Sequence, residues 1–580
     1  MELTWIDFVV FLAFMGTVVF VSLYAGRKEQ TSEDYFLAGR KLTWWLIGIS
    51  LIASNISTEH FVGMAGSAFG RVGLAIASWE WMAAICLVFV AWWLLPRFLR
   101  AGIYTMPEFL EYRYDSGTRT IMAVYLMAAY IIVLLAVVLY SGSLAFNAIF
   151  GVPAMLIDRF SVDPDSAELW ANVIGIWAIG IIAGSYTIYG GLKAVVWSDL
   201  LQGGALLLGG AVVTVLGLRL VGEGDLLEGW QTFTAANEGK LHMCLPWNDP
   251  ELPWIAVFVG GMWIPNMFYW GLNQFITQRT LGARSLAEGQ KGILFAALIK
   301  LCIPLIIVIP GIMAFQLYGD EILALGGNVG DKAYPYMIKQ ILPPSLRGVM
   351  FAALLGAVMS TFNSGLNSAS TIFTVDVYSK YINKSASPHR QVAVGRVATA
   401  VIVVVACLWA PVVGSSKGVF TYIQEIWGFI SPGIVAAFLV GLVVKRAPAV
   451  AGKTALLLAP ILYACSRVPK WIMESERYGF KLQTDGEESI VVRALDGGST
   501  QVVEGFVALW YRFSAMAFLH HMAIVFLVLV ACMLILTKLR PLARPVTMPT
   551  SGLDVKVYPL VYVAGGLVIA ATVGLYAIFW

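Results

Sequence analysis

TWWLIGISLIASNISTEHFVGMAGSAF, residues 43–69, is long enough and apolar enough to cross a bilayer, yet its middle is polar. Ala53-Ser54-Asn55-Ile56-Ser57-Thr58-Glu59-His60 puts an amide, three hydroxyls and two ionisable groups at membrane depth. A continuous lipid-facing helix cannot carry them, because each uncompensated polar group is costly in hydrocarbon. The segment therefore reads as a helix that breaks near midplane and lines a solvated cavity, offering carbonyls and side chains to something that passes through. The alternative, a Ser/Asn-rich helix packed on its neighbours, leaves Glu59 and His60 in need of buried partners.

The composition says the same of the whole chain. It is 59% hydrophobic and 13% charged, where a soluble protein carries about 25% charged residues. The reading is an all-α polytopic membrane protein embedded in a lipid bilayer. A net charge of +3, with no isolated basic cluster, gives no reason to expect a nucleic-acid partner. The six cysteines have no metal-ligand spacing; Cys86, Cys302, Cys407 and Cys532 lie in apolar runs and read as small buried hydrophobes. No CxxC, HExxH, phosphate loop or GxSxG occurs, so the chain does not read as an enzyme and no cofactor is expected. The first apolar run, Ile6–Ala25, has no small-residue cleavage site and reads as an uncleaved span.

Apolar runs give fourteen spans: 6–25, 43–69, 75–95, 119–148, 169–190, 197–221, 254–278, 289–318, 347–378, 392–413, 419–443, 450–467, 515–537 and 557–579. With the N-terminus outside, the internal loops gather Arg27, Lys28, Arg97, Arg100, Arg279, Arg284, Lys291, Arg390, Lys445, Arg446, Lys538 and Arg540. That asymmetry orients the chain with both termini outside a plasma membrane, the inner membrane if bacterial. The loop 468–514 is the one sizeable external piece; ESIVVRALDGGSTQVVEG alternates about Asp496-Gly497-Gly498 as a β-hairpin does.

A second span, WIAVFVGGMWIPNMFYWGLNQFITQ at 254–278, is interrupted by Gly260-Gly261, Pro265, Asn266, Gly271 and Asn273. Two interrupted spans, each followed by four more, point to two five-helix inverted repeats, 43–221 and 254–443, with a substrate site between them. Residues 1–42 then form a leading span and loop, and 444–580 three trailing spans. Lys300 lies about eleven residues inside its span, too deep to snorkel easily, and a mid-membrane lysine reads as functional. Glu80 and Gln424 join it at membrane depth. Asp199 opens the sixth span, where a helix cap is an equal reading. The hydroxyls of the ninth span read as helix packing, with Ser360-Thr361 beside Ala357 the exception.

Asn55, Glu59, His60, Glu80, Asn266, Lys300 and Gln424 thus stand among Met64, Trp79, Tyr269, Trp270 and Phe420. Carboxylates, amides and a lysine among aromatic faces suit a small polyhydroxylated ligand, whose hydroxyls donate and accept while its C–H face stacks on a ring. SNISTEHFVGMAG, GLAIASWEWMAA, GIYTMPEFLEYRY, YGGLKAVVWSDLLQ, NMFYWGLNQFITQRTL, QKGILFAALIKLCIP, FNSGLNSASTIFTVDVY and YIQEIWGFISPG resemble the sodium–solute symporter family. The resemblance is closest to its sodium/glucose (galactose) cotransporter branch and runs from about residue 5 to 445.

That resemblance implies a LeuT-like five-plus-five inverted repeat with one extra span before it and three after, fourteen transmembrane helices in all. It implies a sodium-coupled importer of a glucose- or galactose-like sugar, with sodium as the co-transported ion. Sugar ligands fall on Asn55, His60, Glu80, Asn266, Lys300 and Gln424. The inner gate falls on Tyr269, the outer cap on Met64, Trp79 and Phe420. The main sodium site falls on the carbonyls of Ala53, Ile56 and Ala357 and the hydroxyls of Ser360 and Thr361; neutral oxygens hold a hard cation without trapping it. Some members bind a second sodium at positions matching Asp199, Asn363 and Ser364. There are departures. The bacterial galactose transporter has Gln at His60, where animal cotransporters have His. Its Asn in the fourth span is Leu134 here, Thr361 replaces a serine, and Asn363 supplies an amide where a hydroxyl is usual. Another solute, such as myo-inositol or sialic acid, or a sugar sensor that binds without transporting, is the alternative. Oligomeric state is not specified.

Overall fold

The computed structural model describes residues 4–27, 31–326, 329–413, 419–475, 477–485, 488–495 and 499–580. Eleven of the described helices are long and apolar enough to cross a membrane, and two shorter apolar helices, Trp44–Asn55 and Ser431–Val443, accompany them. Large apolar side chains such as Val397, Leu408, Leu527, Ile535 and Leu567 are exposed along these helices. Helix faces of this kind need hydrocarbon against them rather than water. Cys86 and Cys407 are buried as expected, but Cys302 is exposed and Cys532 half-buried.

The chain divides into two compact units. The first comprises residues 1–243, 269–423 and 547–580. Its helices used below are α1 (Trp5–Ala25), α2 (Trp44–Asn55), α3 (Ser78–Phe89), α4 (Pro164–Val221), α5 (Gln274–Leu281), α6 (Leu286–Ala324) and α7 (Leu346–Ile372). Its most extensive helix pairing joins α4 and α7; α1 packs on both, and α2 lies against α4 and α6. Asp7 of α1 ties that packing at one end, its carboxylate accepting from the Ser345 amide at 2.8 Å and the Gly348 amide at 3.2 Å.

α4 spans 58 residues, two helices joined across a kink at Gly191 (φ 53°, ψ −148°). Only glycine adopts that conformation cheaply. A Cβ there would also lie 2.3 Å from the Tyr35 carbonyl oxygen. The sequence places two spans, 169–190 and 197–221, on either side of this point.

The second unit comprises residues 244–268 and 424–546. Helices Ser431–Val443, Ala449–Met473 and Phe518–Leu539 pack on one another. Arg467, buried, donates to the Ser514 carbonyl at 2.8 Å and the Met516 carbonyl at 2.9 Å and pairs with Glu425. Three antiparallel strands follow: β1 (Phe480–Asp485), β2 (Glu488–Ala494) and β3 (Thr500–Val502), in that order. β2 and β3 pair with Val492 opposite Val502 and Ala494 opposite Thr500. That is the hairpin expected from the sequence, whose turn residues 496–498 lie outside the described residues. β1 was not legible as a strand. Val491 of β2 is buried with Ala508 and Tyr511 of the helix Gly505–Ala515.

Candidate functional site

α2 ends at Asn55, and Ile56 is extended (φ −78°, ψ 116°). The chain resumes as a π-helical turn, Glu59–Met64. A helix that stops leaves its last carbonyls without amide partners. Two of them are met from α7: Ser360 Oγ donates to the Ala53 carbonyl at 3.1 Å, and Thr361 Oγ1 to the Ser54 carbonyl at 3.1 Å. Ala357, buried, lies three and four residues before these hydroxyls and so on the same face. The broken helix and α7 therefore bring Ala53, Ser360 and Thr361 together as neutral oxygens, with Ile56 at the break itself.

Ser360 Oγ also bonds Asp199 Oδ1 at 2.6 Å. Asp199 is not a helix cap. It lies inside α4, buried, with Oδ2 facing Ser50, Ser54 Oγ at 3.2 Å, and Arg279 Nη2 at 3.1 Å. Arg279 donates further to Ser50 Oγ at 2.5 Å and to Ser364 Oγ. The expectation of Arg279 in an internal loop is thus corrected. It is 1% exposed, because the half-helix α5 that carries it runs through the interior, buried along its whole length. Asn363 donates to the Tyr186 hydroxyl, and its Oδ1 has no partner among the described residues.

The second polar cluster is a chain. Tyr269 OH accepts from Asn55 Nδ2 at 3.1 Å. Asn55 Oδ1 accepts from Lys300, which also pairs with Glu80 Oε2. Glu80 Oε1 lies 3.5 Å from His60 Nε2, and His60 Nδ1 lies 3.4 Å from the Ser57 amide. The Lys300 ammonium stands 4.8 Å from the centre of the Trp270 ring. Asn55, His60, Glu80 and Lys300 are all buried. Glu80 near the start of α3 and Lys300 in α6 meet because both helices pack together. A buried ammonium needs a carboxylate at hand, and here each supplies the other.

Tyr269 closes one end, its ring edge-to-face with Phe275 at 5.3 Å. Beneath it Asn273 (φ −85°, ψ 120°) breaks the second interrupted segment, and Tyr130 OH donates to its Oδ1. Met64 and Trp79 are buried in the same unit. Asn266 and Gln424 belong to the second unit. Asn266 is buried and donates to the Met262 carbonyl at 3.0 Å, and Gln424 is half-buried on the helix Val419–Trp427. The Phe420 side chain lies outside the described residues. Sequence reasoning missed Ser50, Tyr130 and the inward turn of Arg279, and gave Ser54 no role of its own. The four-residue spacing of Ser50 and Ser54 on an otherwise apolar helix was the available signal.

A family model described as the sodium:solute symporter family matches residues 35–159 and 165–456. The chain is 43% identical over 466 residues to a sodium/glucose cotransporter of Vibrio parahaemolyticus, covering 77% of this chain and 82% of that protein. It is 34% identical over 471 residues to the human sodium/myo-inositol cotransporter 2, covering 76% of this chain and 66% of that one. Among solved structures it superposes on the substrate-bound, outward-open state of a Na+-coupled sialic acid symporter. The TM-score is 0.70 at 21% identity, over 94% of this chain and 99% of that one; the likeness is one of fold.

Proposed function

The chain belongs to the sodium:solute symporter family, and from that premise we propose that it imports a glucose- or galactose-like sugar with sodium, by alternating access, and is not an enzyme. The observation that carries this is the buried chain Tyr269–Asn55–Lys300–Glu80–His60 beside a helix broken at Ile56. These groups satisfy one another, and a polyol can exchange its hydroxyls into the same donors and acceptors without stranding a charge. Trp270 offers the ring for its C–H face. Asn266 and Gln424 are assigned as further sugar ligands, Tyr269 as the inner gate, and Met64, Trp79 and Phe420 as the outer cap.

Sodium is assigned to the carbonyls of Ala53, Ile56 and Ala357 and the hydroxyls of Ser360 and Thr361. A second sodium at Asp199, Asn363 and Ser364 would have to displace the Arg279 guanidinium, which favours one. Counting the kink at Gly191 as a turn between two spans, and the two shorter apolar helices as half-length spans, supports fourteen spans. We read them as repeats 43–221 and 254–443 in a LeuT-like arrangement, with 1–42 leading and 444–580 trailing, both termini outside the plasma membrane.

The coupling can be sized. One sodium entering down 100 mV releases about 2.3 kcal/mol, and a tenfold gradient about 1.4 more. Their sum, about 3.7 kcal/mol, sustains roughly 500-fold accumulation of a neutral sugar. Sodium bound between the broken helix and α7 favours the outward-open state and so raises sugar affinity. Labelled glucose and galactose uptake into proteoliposomes, with inward sodium against inward potassium, tests this. Sodium-dependent accumulation above equilibrium supports symport. Binding without accumulation would make the protein a sensor, and no interaction with either sugar would move the assignment to another solute such as myo-inositol or sialic acid.

A further inference from the structure

Glu59 takes no part in the polar chain that joins its neighbour His60 to Glu80. Adjacent residues on a helical turn point about 100° apart, so with His60 Nε2 3.5 Å from Glu80 Oε1, Glu59 faces another way. It is half-buried, and no lysine or arginine stands within ion-pair distance of it among the described residues. It lines a cavity of about 340 Å³ enclosed by the turn Glu59–Met64, the helices Ala136–Phe150 and Gly330–Ile341, and the first turns of α7. That is room for a small ligand. The cavity is built on a fixed frame. The Phe61 ring meets Tyr334 edge-to-face at 4.9 Å, and a Cβ on Gly66 would lie 2.7 Å from the Gly330 carbonyl carbon. The outer part of the broken span is thus packed backbone to backbone on the helix Gly330–Ile341.

The walls are apolar: Leu144, Ala145, Pro335, Phe351 and Leu354. Beside Glu59 stand Thr58 and Ser141, their hydroxyl oxygens 3.4 Å apart. Asp331, Lys332 and Lys339 bring the remaining charges. Lys332 is exposed and donates to the Leu325 and Gly326 carbonyls at 3.1 and 2.8 Å, so its charge is spent there. Two carboxylates then face one ammonium, that of Lys339. A carboxylate among apolar walls is stable beside a positive charge, and a ligand can bring it. One ammonium on an apolar body matches this lining. A polyol does not, because most of its hydroxyls would meet hydrocarbon.

We propose that this cavity is a second ligand site, separate from the sugar's, that takes a protonated lipophilic amine, its ammonium at Glu59, Thr58 and Ser141 and its apolar body against Phe351 and Leu354. One turn carries both Glu59 and His60, so an amine lodged there holds that turn in place and slows transport without competing for the sugar site. The slowing rests on the symport reading above; the binding does not. Radiolabelled phenethylamine and the detergent-purified full-length protein test the site, with uncharged phenethyl alcohol as the control. The amine should bind saturably and stay bound at saturating galactose, and the alcohol should displace it at least tenfold less well than unlabelled amine does. Glu59→Gln should weaken amine binding by about tenfold, and Glu59→Asp should retain it. Ala145→Phe, which fills the cavity, should abolish amine binding with sodium-driven uptake retained. Equal affinity for the alcohol, displacement by galactose, or undiminished amine binding in both Glu59→Gln and Ala145→Phe would overturn the site. In liposomes the amine should lower maximal sugar uptake and leave the half-saturating sugar concentration unchanged. Wild-type protein that binds the amine but shows no sodium-stimulated uptake would sink the symport reading and leave the site standing.

Discussion

Removing one charge of the Lys300–Glu80 pair should destabilise the protein more than removing both. The two side chains are 1% and 3% exposed. Lys300 has Asn55 Oδ1 as its other partner, and Glu80 has His60 Nε2 at 3.5 Å. Lys300→Met strands the carboxylate, and breaking a buried ion pair in this way costs about 3–5 kcal/mol. At 1.4 kcal/mol per factor of ten, that is roughly two to three and a half powers of ten in the folding equilibrium. Glu80→Gln strands the ammonium between two amide oxygens and belongs at the lower end of that range. The double variant Lys300→Met/Glu80→Gln buries no charge. Its cost is the lost partners of Asn55 and His60, about 1–3 kcal/mol, less than Lys300→Met alone. Denaturant midpoints of the detergent-purified protein, followed by tryptophan fluorescence, measure all four corners of the cycle. A double variant as unstable as the sum of the two singles would refute the pairing as the reason both charges are tolerated.

Three further outcomes are expected. Ser360→Ala and Thr361→Ala should each raise the sodium concentration for half-maximal uptake by about tenfold or more, while Thr361→Ser, which keeps the oxygen, should not; a sodium titration of uptake checks this. Glu111 lies outside the spanning segments. Burial pushes its carboxyl up, but hydrogen bonds and charge from Lys380 and Arg119 hold it below the usual carboxylate range. Its stabilisation is therefore complete above the unfolded pKa of about 4.3 and lost as pH falls through the lower folded value. Thermal midpoints should decline on acidification through that window, and Glu111→Gln should flatten the decline. Gly191→Ala must hold φ near 53° with its Cβ 2.3 Å from the Tyr35 carbonyl oxygen, a backbone cost of about 1–3 kcal/mol plus the clash. Folded yield by size-exclusion chromatography should fall sharply.

Much of this protein is set by local chemistry and so is readable along the chain. Twenty apolar residues make a span wherever they occur, and Asn, Ser and Glu in the middle of one force a break, because backbone and side chains must be satisfied within reach. Hence the interruption about Ile56 and the second about Asn273 were both legible. What the tertiary structure decided is which buried group answers which. Lys300 meets a carboxylate 220 positions away, and Arg279 one 80 positions away. The expectation that Arg279 is a loop cation failed for this reason: its solvation is supplied by Asp199, Ser50 and Ser364 from three other helices. Asp199 likewise reads as a cap until Ser360 and Arg279 are brought against it. In a medium of low dielectric a charge is stable only beside its complement, and that distance is a property of the packed helices, not of the sequence around either residue.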